Sequence, residues 1–167
     1  MVNRLQRLGR HWLAQLRPAR VLLPARALAQ IEAEVRGAER THSGEIRVAV
    51  ETSLSFAQLW RKLGARERAL QLFATLGVWD TAHNNGVLVY VLLADRAVEI
   101  VADRAIAAHI PASEWTALCA EVAERFRQGD AAAACCLAVR GVGQRLARHF
   151  PAAGGGGNEL PNQPVLL

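Results

Sequence analysis

The sequence is poor in the residues that announce specialised chemistry. Three cysteines, Cys119, Cys135 and Cys136, in 167 residues are too few for a disulfide framework. The five histidines lie apart and form no His-x-x-x-His pair, so no zinc spacing is present. There is no Walker loop, no Gly-x-Ser-x-Gly elbow and no dinucleotide fingerprint. No run of about 18 apolar residues occurs, which excludes an ordinary membrane-spanning helix. Against these absences stand 51% hydrophobic and 21% charged residues. That is enough apolar material for one domain's core, and whole-chain disorder is excluded.

Acid is missing from one end. Residues 1–20 contain Arg4, Arg7, Arg10, Arg17 and Arg20 and no Asp or Glu, so the formal net charge of +5 resides there and the rest of the chain is neutral. A neutral body offers no basic stripe of groove length, so nucleic acid is not an expected partner. On a helical wheel Leu5, Leu8, Trp12 and Leu16 share a face, with Leu13 at its margin, and Arg4, Arg7, Arg10 and Arg17 lie opposite. Two arrangements suit such a helix. It anchors on an anionic membrane surface through those arginines, or it packs on the domain with a solvated arginine face, the commoner fate. Arginines interrupt the apolar residues throughout, so no signal-peptide core is present. The expected location is cytoplasmic, peripheral at the inner membrane if the helix is an anchor.

The expected organisation is a basic helix at 1–20, a domain at 21–151 and a glycine-rich linker with tail at 152–167. Pro24 suits a first helical turn, and Leu28, Ile31 and Val35 follow at helical spacing. Thr41 to Gly44 break that helix. Glu45 to Glu51 alternate as a half-buried strand, with Glu45, Arg47 and Glu51 on its solvated or helix-facing side. Ser55 with Gln58 makes a capping box for one helix presenting Leu59, Leu63, Leu70 and Phe73, and Gly77 suits its left-handed end. Val87 to Leu93 is a continuous apolar run too short for most helices, hence a strand buried on both faces. A turn at Asp95-Arg96 leads to a third strand through Val98, Ile100 and Ala102. A helix opens at Pro111, Gly129 ends it, and Asp130 caps a last helix reaching about Phe150. Cys119, Cys135 and Cys136 read as small core residues. Gly154 to Gly157 is a flexible linker, and the apolar tail with Leu160, Val165 and Leu166 docks on the domain or presents a motif to a protein partner. Strand–helix–strand requires a parallel crossover, and the third strand returns antiparallel. The expected fold is a three-layer α/β/α sandwich on a small mixed sheet.

A turn centred on Asp95-Arg96 sets Leu88 opposite Asp103. The loop Asp80 to Asn85 then lies beside Asp103 and Arg104. Asp80, Asn84, Asn85 and Asp103 supply hard oxygen donors suited to Ca²⁺ or Mg²⁺, and Arg104 suits a bidentate phosphate contact. The plainer alternative is turn chemistry, with Gly86 free to take a positive φ and Asp103-Arg104 a helix start. His83 reads as a solvated loop residue rather than a ligand.

The run Asn84-Asn85-Gly86-Val87-Leu88-Val89-Tyr90-Val91, the following Asp-Arg turn and a third strand ending in an acid resemble the TPM domain, also called the TPM phosphatase domain. The resemblance extends from Gly44-Glu45-Ile46-Arg47-Val48 to Phe126-Arg127-Gln128-Gly129-Asp130 and covers about residues 24–150. It implies the α/β/α sandwich and, in some members, calcium binding and modest acid phosphatase activity. The chain departs from many bacterial members in lacking their signal peptide and membrane tail. Val101-Ala102-Asp103-Arg104-Ala105 also replaces their glycine-rich stretch. The expected function is therefore a non-enzymatic accessory module, calcium-binding and acting at the cytoplasmic membrane face or with a protein partner. The alternative is a metal-assisted acid phosphatase of low activity.

Overall fold

Seven successive strand residues without a single charged side chain must lie between two layers. In the computed structural model they do, and every residue of β2 (Gly86–Leu92) is buried. The structure describes residues 4–16, 19–152 and 158–167. Beside β2 run β1 (Glu45–Glu51), parallel to it from Glu45 against Gly86 to Glu51 against Leu92, and β3 (Ala97–Ala102), antiparallel. A short β4 (Val165–Leu166) joins the far edge of β1 in parallel, giving the order β3-β2-β1-β4.

The helices, in chain order, are α1 (Arg4–Gln15), α2 (Ala19–Leu22), α3 (Ala25–Ala38), α4 (Phe56–Trp60), α5 (Ala65–Thr75), α6 (Arg104–Ala107), α7 (Ala112–Arg127) and α8 (Ala131–His149). Side chains alternate across a strand, so β2 feeds two cores. Val87, Val89 and Val91 meet Ile31 and Val35 of α3, Leu118 and Val122 of α7 and Val139 and Val142 of α8. Leu88, Tyr90 and Leu92 meet Ala69 and Leu72 of α5, together with Val78 and Leu160. Each fully buried valine, leucine or isoleucine among them contributes about 1.5–3 kcal/mol. The result is the α/β/α sandwich expected from the sequence.

Several local expectations are corrected. The helix expected to run from Ser55 through Phe73 is two helices. The capping box forms, with Ser55 Oγ accepting from the Gln58 N–H and Gln58 Oε1 from the Ser55 N–H. The chain then leaves the helix at Lys62, whose φ is 60°. The Leu63 carbonyl, which a continuous helix would use internally, accepts from Arg7 Nη2 at 2.9 Å, and Gly64 restarts the chain as the N-cap of α5.

The hairpin register also differs by two. Leu88 lies opposite Val101, not Asp103. The Leu93 and Ala94 N–H groups continue the ladder onto β1, donating to the Glu51 and Thr52 carbonyls. They are therefore unavailable to β3, and the loop needs four residues, 93–96, with Arg96 at φ 52°.

Gly86 does not take a positive φ; Asn84 does, at 52°. Glycine is required at 86 for space, because a Cβ there would lie 2.0 Å from the Val78 carbonyl oxygen. The tail docks: Leu160 is buried, Arg47 Nη1 donates to the Pro161 and Gln163 carbonyls, and the Leu167 N–H donates to Val50. The expected Gly154–Gly157 linker and Arg17 fall outside the described residues, as does the side chain of Arg4.

Candidate functional site

The corner where β2 begins and β3 ends is built by backbone bonds. The Asp103 N–H donates to the Gly86 carbonyl at 2.9 Å, the Ala105 N–H to Asn84 at 3.3 Å and the Glu45 N–H to Asn85 at 3.2 Å. Asp103 thus sits opposite Gly86, directly after Asn84-Asn85, and the register shift leaves it in the neighbourhood the sequence suggested. Its Oδ1 caps α6, accepting from the Arg104 N–H at 2.7 Å. Its Oδ2 is buried without a partner among the described residues. Asn85 is 1% exposed. Its N–H donates to Thr81 Oγ1, its Nδ2 to the Ser43 carbonyl, and its Oδ1 is likewise buried without a partner. Buried polar atoms are nearly always satisfied, so these two oxygens stand out.

The other sequence candidates are placed differently. Asn84 Oδ1 accepts from Arg104 Nη2 at 3.1 Å, on the exposed side of the corner. Asp80 and His83 are exposed, and their side chains make no hydrogen bond among the described residues. No group of three or more His, Cys, Asp or Glu side chains suited to a metal ion gathers among the described residues. Burial pushes the Cys119 thiol up to about 11 and the Cys135 thiol up to about 12, in keeping with core packing rather than nucleophilic chemistry.

Sequence reasoning missed a second polar centre. Asp95, read as a turn residue, is gripped by α1. Arg7 Nε and Nη2 donate to its Oδ2 at 2.9 and 2.8 Å, Arg10 Nη2 donates to Oδ1 at 3.1 Å, and His11 Nε2 lies 3.2 Å from Oδ1. His11 is buried, and its Nδ1 accepts from the Leu54 N–H at 3.0 Å, so the ring proton sits on Nε2 and faces Asp95. Burial works to raise the Asp95 pKa, but His11 and Arg7 outweigh it and bring the carboxyl down to about 2. The expected solvated arginine face is thereby corrected: Arg7 and Arg10 bind the domain.

A third polar group lies near the tail. Glu39 Oε1 accepts from the Ile46 N–H and Glu45 Oε2 from the Leu160 N–H. Burial raises the Glu39 carboxyl to about 7, despite the hydrogen bond from Ile46 and with the Glu45 charge adding to the rise. On the α5 side Glu51 is buried rather than solvated. It takes a two-pronged contact from Arg68 at 2.9 and 3.0 Å, and the Tyr90 hydroxyl donates to it at 2.7 Å.

A family model, the TPM domain, matches residues 18–145. The chain belongs to the TPM domain family. Among solved structures, the TPM chain is similar to the NMR structure of the BA42 protein from the psychrophilic bacterium Bizionia argentinensis. Identity is 29% and the TM-score is 0.75, over 86% of this chain and 94% of that one. No curated protein matches significantly. No helix of this TPM domain's described residues is long and apolar enough to cross a membrane.

Proposed function

We propose that this TPM domain is a non-enzymatic accessory module that takes a hard divalent cation, Ca²⁺ in the first instance, at the β2–β3 corner. The observation that carries the reading is the pair of buried, unpartnered oxygens, Asp103 Oδ2 and Asn85 Oδ1. Both are the hard donors that Ca²⁺ prefers, and a cation would relieve the cost of burying them unsatisfied. One carboxylate and one amide make a weakly charged donor set. The remaining positions would be water, and Asp80, exposed nearby in sequence, is the one further acid the loop offers. Such a set belongs with affinities on the order of 10⁻⁴–10⁻³ M.

The test is thermal unfolding of the wild type and of Asp103→Ala with and without CaCl₂. Binding to the folded state alone at about 100 times the Kd adds about 2.7 kcal/mol. A rise in Tm for the wild type that is absent in the variant is the expected result. No rise in the wild type refutes the corner as a cation site.

A second reading is favoured by one feature. Arg104, exposed and one residue from Asp103, holds its guanidinium against Asn84 at the mouth of the corner, where a phosphate could reach it. If the domain is a phosphomonoester hydrolase, a bound cation would supply charge stabilisation for the phosphoryl group. Turnover of p-nitrophenyl phosphate that is lost in Asp103→Ala would establish this reading over the accessory one. No turnover leaves the binding module.

A further inference from the structure

We propose that α1 and α4 together form a lipid-docking face, and that its occupant is an anionic bilayer surface. Helix α1 lies on the domain the wrong way round for an ordinary amphipathic helix. Its polar face, with Arg7 and His11, turns inward to Asp95. Its apolar face turns outward: Leu5 is 74% exposed, Trp12 66%, Leu13 57% and Leu16 67%. A surface helix of a soluble domain normally does the reverse.

Helix α4 is held nearby and exposes large apolar side chains of its own. The His11 ring accepts from the Leu54 N–H, just before α4, and Arg7 donates to the Leu63 carbonyl, just after it. Those two bonds bracket α4 and set it beside α1. Phe56 and Trp60 of α4 are 66% and 72% exposed and stack on each other with centroids 6.0 Å apart. The Ala19 N–H, donating to Thr52 Oγ1, ties α2, with Val21 and Leu22 exposed, into the same neighbourhood. Large exposed apolar side chains in this number on neighbouring helices mark an interaction surface.

Charge selects the occupant. No Asp or Glu occurs in residues 1–31 or in residues 52–66, the two stretches to which α1, α2 and α4 belong. Arg20, Arg26, Arg61 and Lys62 are exposed and form no ion pair among the described residues. Arg61 and Lys62 directly follow Trp60. A second copy docking through the same patch would bring two such cationic surfaces together with no acid between them, because a two-fold interface pairs a patch with itself. An anionic bilayer complements them, and tryptophan and leucine insert readily at the headgroup level. The anchoring cations are therefore Arg61, Lys62, Arg20 and Arg26 rather than Arg7, which is held by Asp95.

The test is flotation with vesicles of equal parts phosphatidylglycerol and phosphatidylcholine, in EDTA, against vesicles of phosphatidylcholine alone. The wild type should float with the anionic vesicles, with a blue shift of tryptophan emission, and should be released by salt. Trp12→Ser/Leu16→Ser/Trp60→Ser, at exposed positions and checked for an unchanged circular dichroism spectrum, should abolish flotation. Arg61→Glu/Lys62→Glu should weaken it about tenfold or more. Asp103→Ala should float as the wild type does, since the cation corner takes no part. Wild type that stays unbound, or a triple variant that floats undiminished, overturns the proposal. So does a wild-type dimer in light scattering that the triple variant dissociates, without flotation of either.

Discussion

Replacing Asp95 by asparagine keeps the shape of the β2–β3 loop and removes the charge that α1 docks on. In the wild type Asp95 Oδ2 receives two Arg7 N–H groups at 2.8 and 2.9 Å, and Oδ1 faces Arg10 and His11 at 3.1 and 3.2 Å. An asparagine keeps one acceptor oxygen and turns an NH₂ toward donors. The Arg10 contact contributes little, because that side chain is 43% exposed. Arg7 is 24% exposed and His11 1%, so their charge-assisted contacts are worth about 2–3 kcal/mol together. That energy holds α1 to the domain rather than the sheet to itself. Its loss lowers the docking equilibrium about 30- to 150-fold. The assay is hydrogen exchange read by mass spectrometry, with protection expected to fall in residues 4–16 and to persist in β2. Acid should act in the same direction. The Asp95 pKa falls from 3.8 to about 2 on folding, so its contribution is complete above 3.8 and is lost as pH drops through 2. After solvent screening this amounts to about 1–2 kcal/mol. Unchanged exchange in α1 of Asp95→Asn would refute the clamp.

Two further perturbations test the sheet and the tail. Gly86→Ala places a Cβ 2.0 Å from the Val78 carbonyl oxygen; backbone must move, at a cost of about 2–3 kcal/mol or more in a denaturant titration, whereas a merely flexible glycine would lose little. Glu39 is raised from 4.5 to about 7 by burial, so the folded state holds a proton that the unfolded state releases. Its effect is to lower stability as pH rises from 4.5 to 7. Glu39→Gln should flatten the Tm–pH profile across that window, and an unaltered slope would show that Glu39 titrates normally.

What the sequence disclosed was governed by local rules. The continuous apolar run of β2, the Ser55–Gln58 box and the left-handed glycines, Gly77 at φ 66° and Gly129 at φ 88°, each follow from a few neighbouring residues. What it concealed depends on distant partners. The Leu63 carbonyl leaves its helix for Arg7, 56 positions away. Leu93 and Ala94 bond to β1 and so lengthen a hairpin whose own residues suggest a shorter turn. The tail adds a fourth strand through two residues, 165 and 166, too few to leave a periodic signal. The helical wheel of α1 separated its faces correctly, but which face turned inward hinged on Asp95, 88 positions away from Arg7. In the candidate site, Asn85 and Asp103 were legible because turn chemistry and strand pairing place them together. The engagement of Asn84 with Arg104 was not.

The central claim, a cation at the β2–β3 corner, is met most directly by an amide NMR titration of the wild type with CaCl₂. Resonances of Asn84 to Gly86 and Asp103 to Ala105, with the Asn85 side-chain amide, should move together and saturate at millimolar concentration. Those of α1 should stay in place. A titration that leaves these resonances still, or moves only those of scattered surface carboxylates, would contradict the account and return Asp103 and Asn85 to a purely structural role.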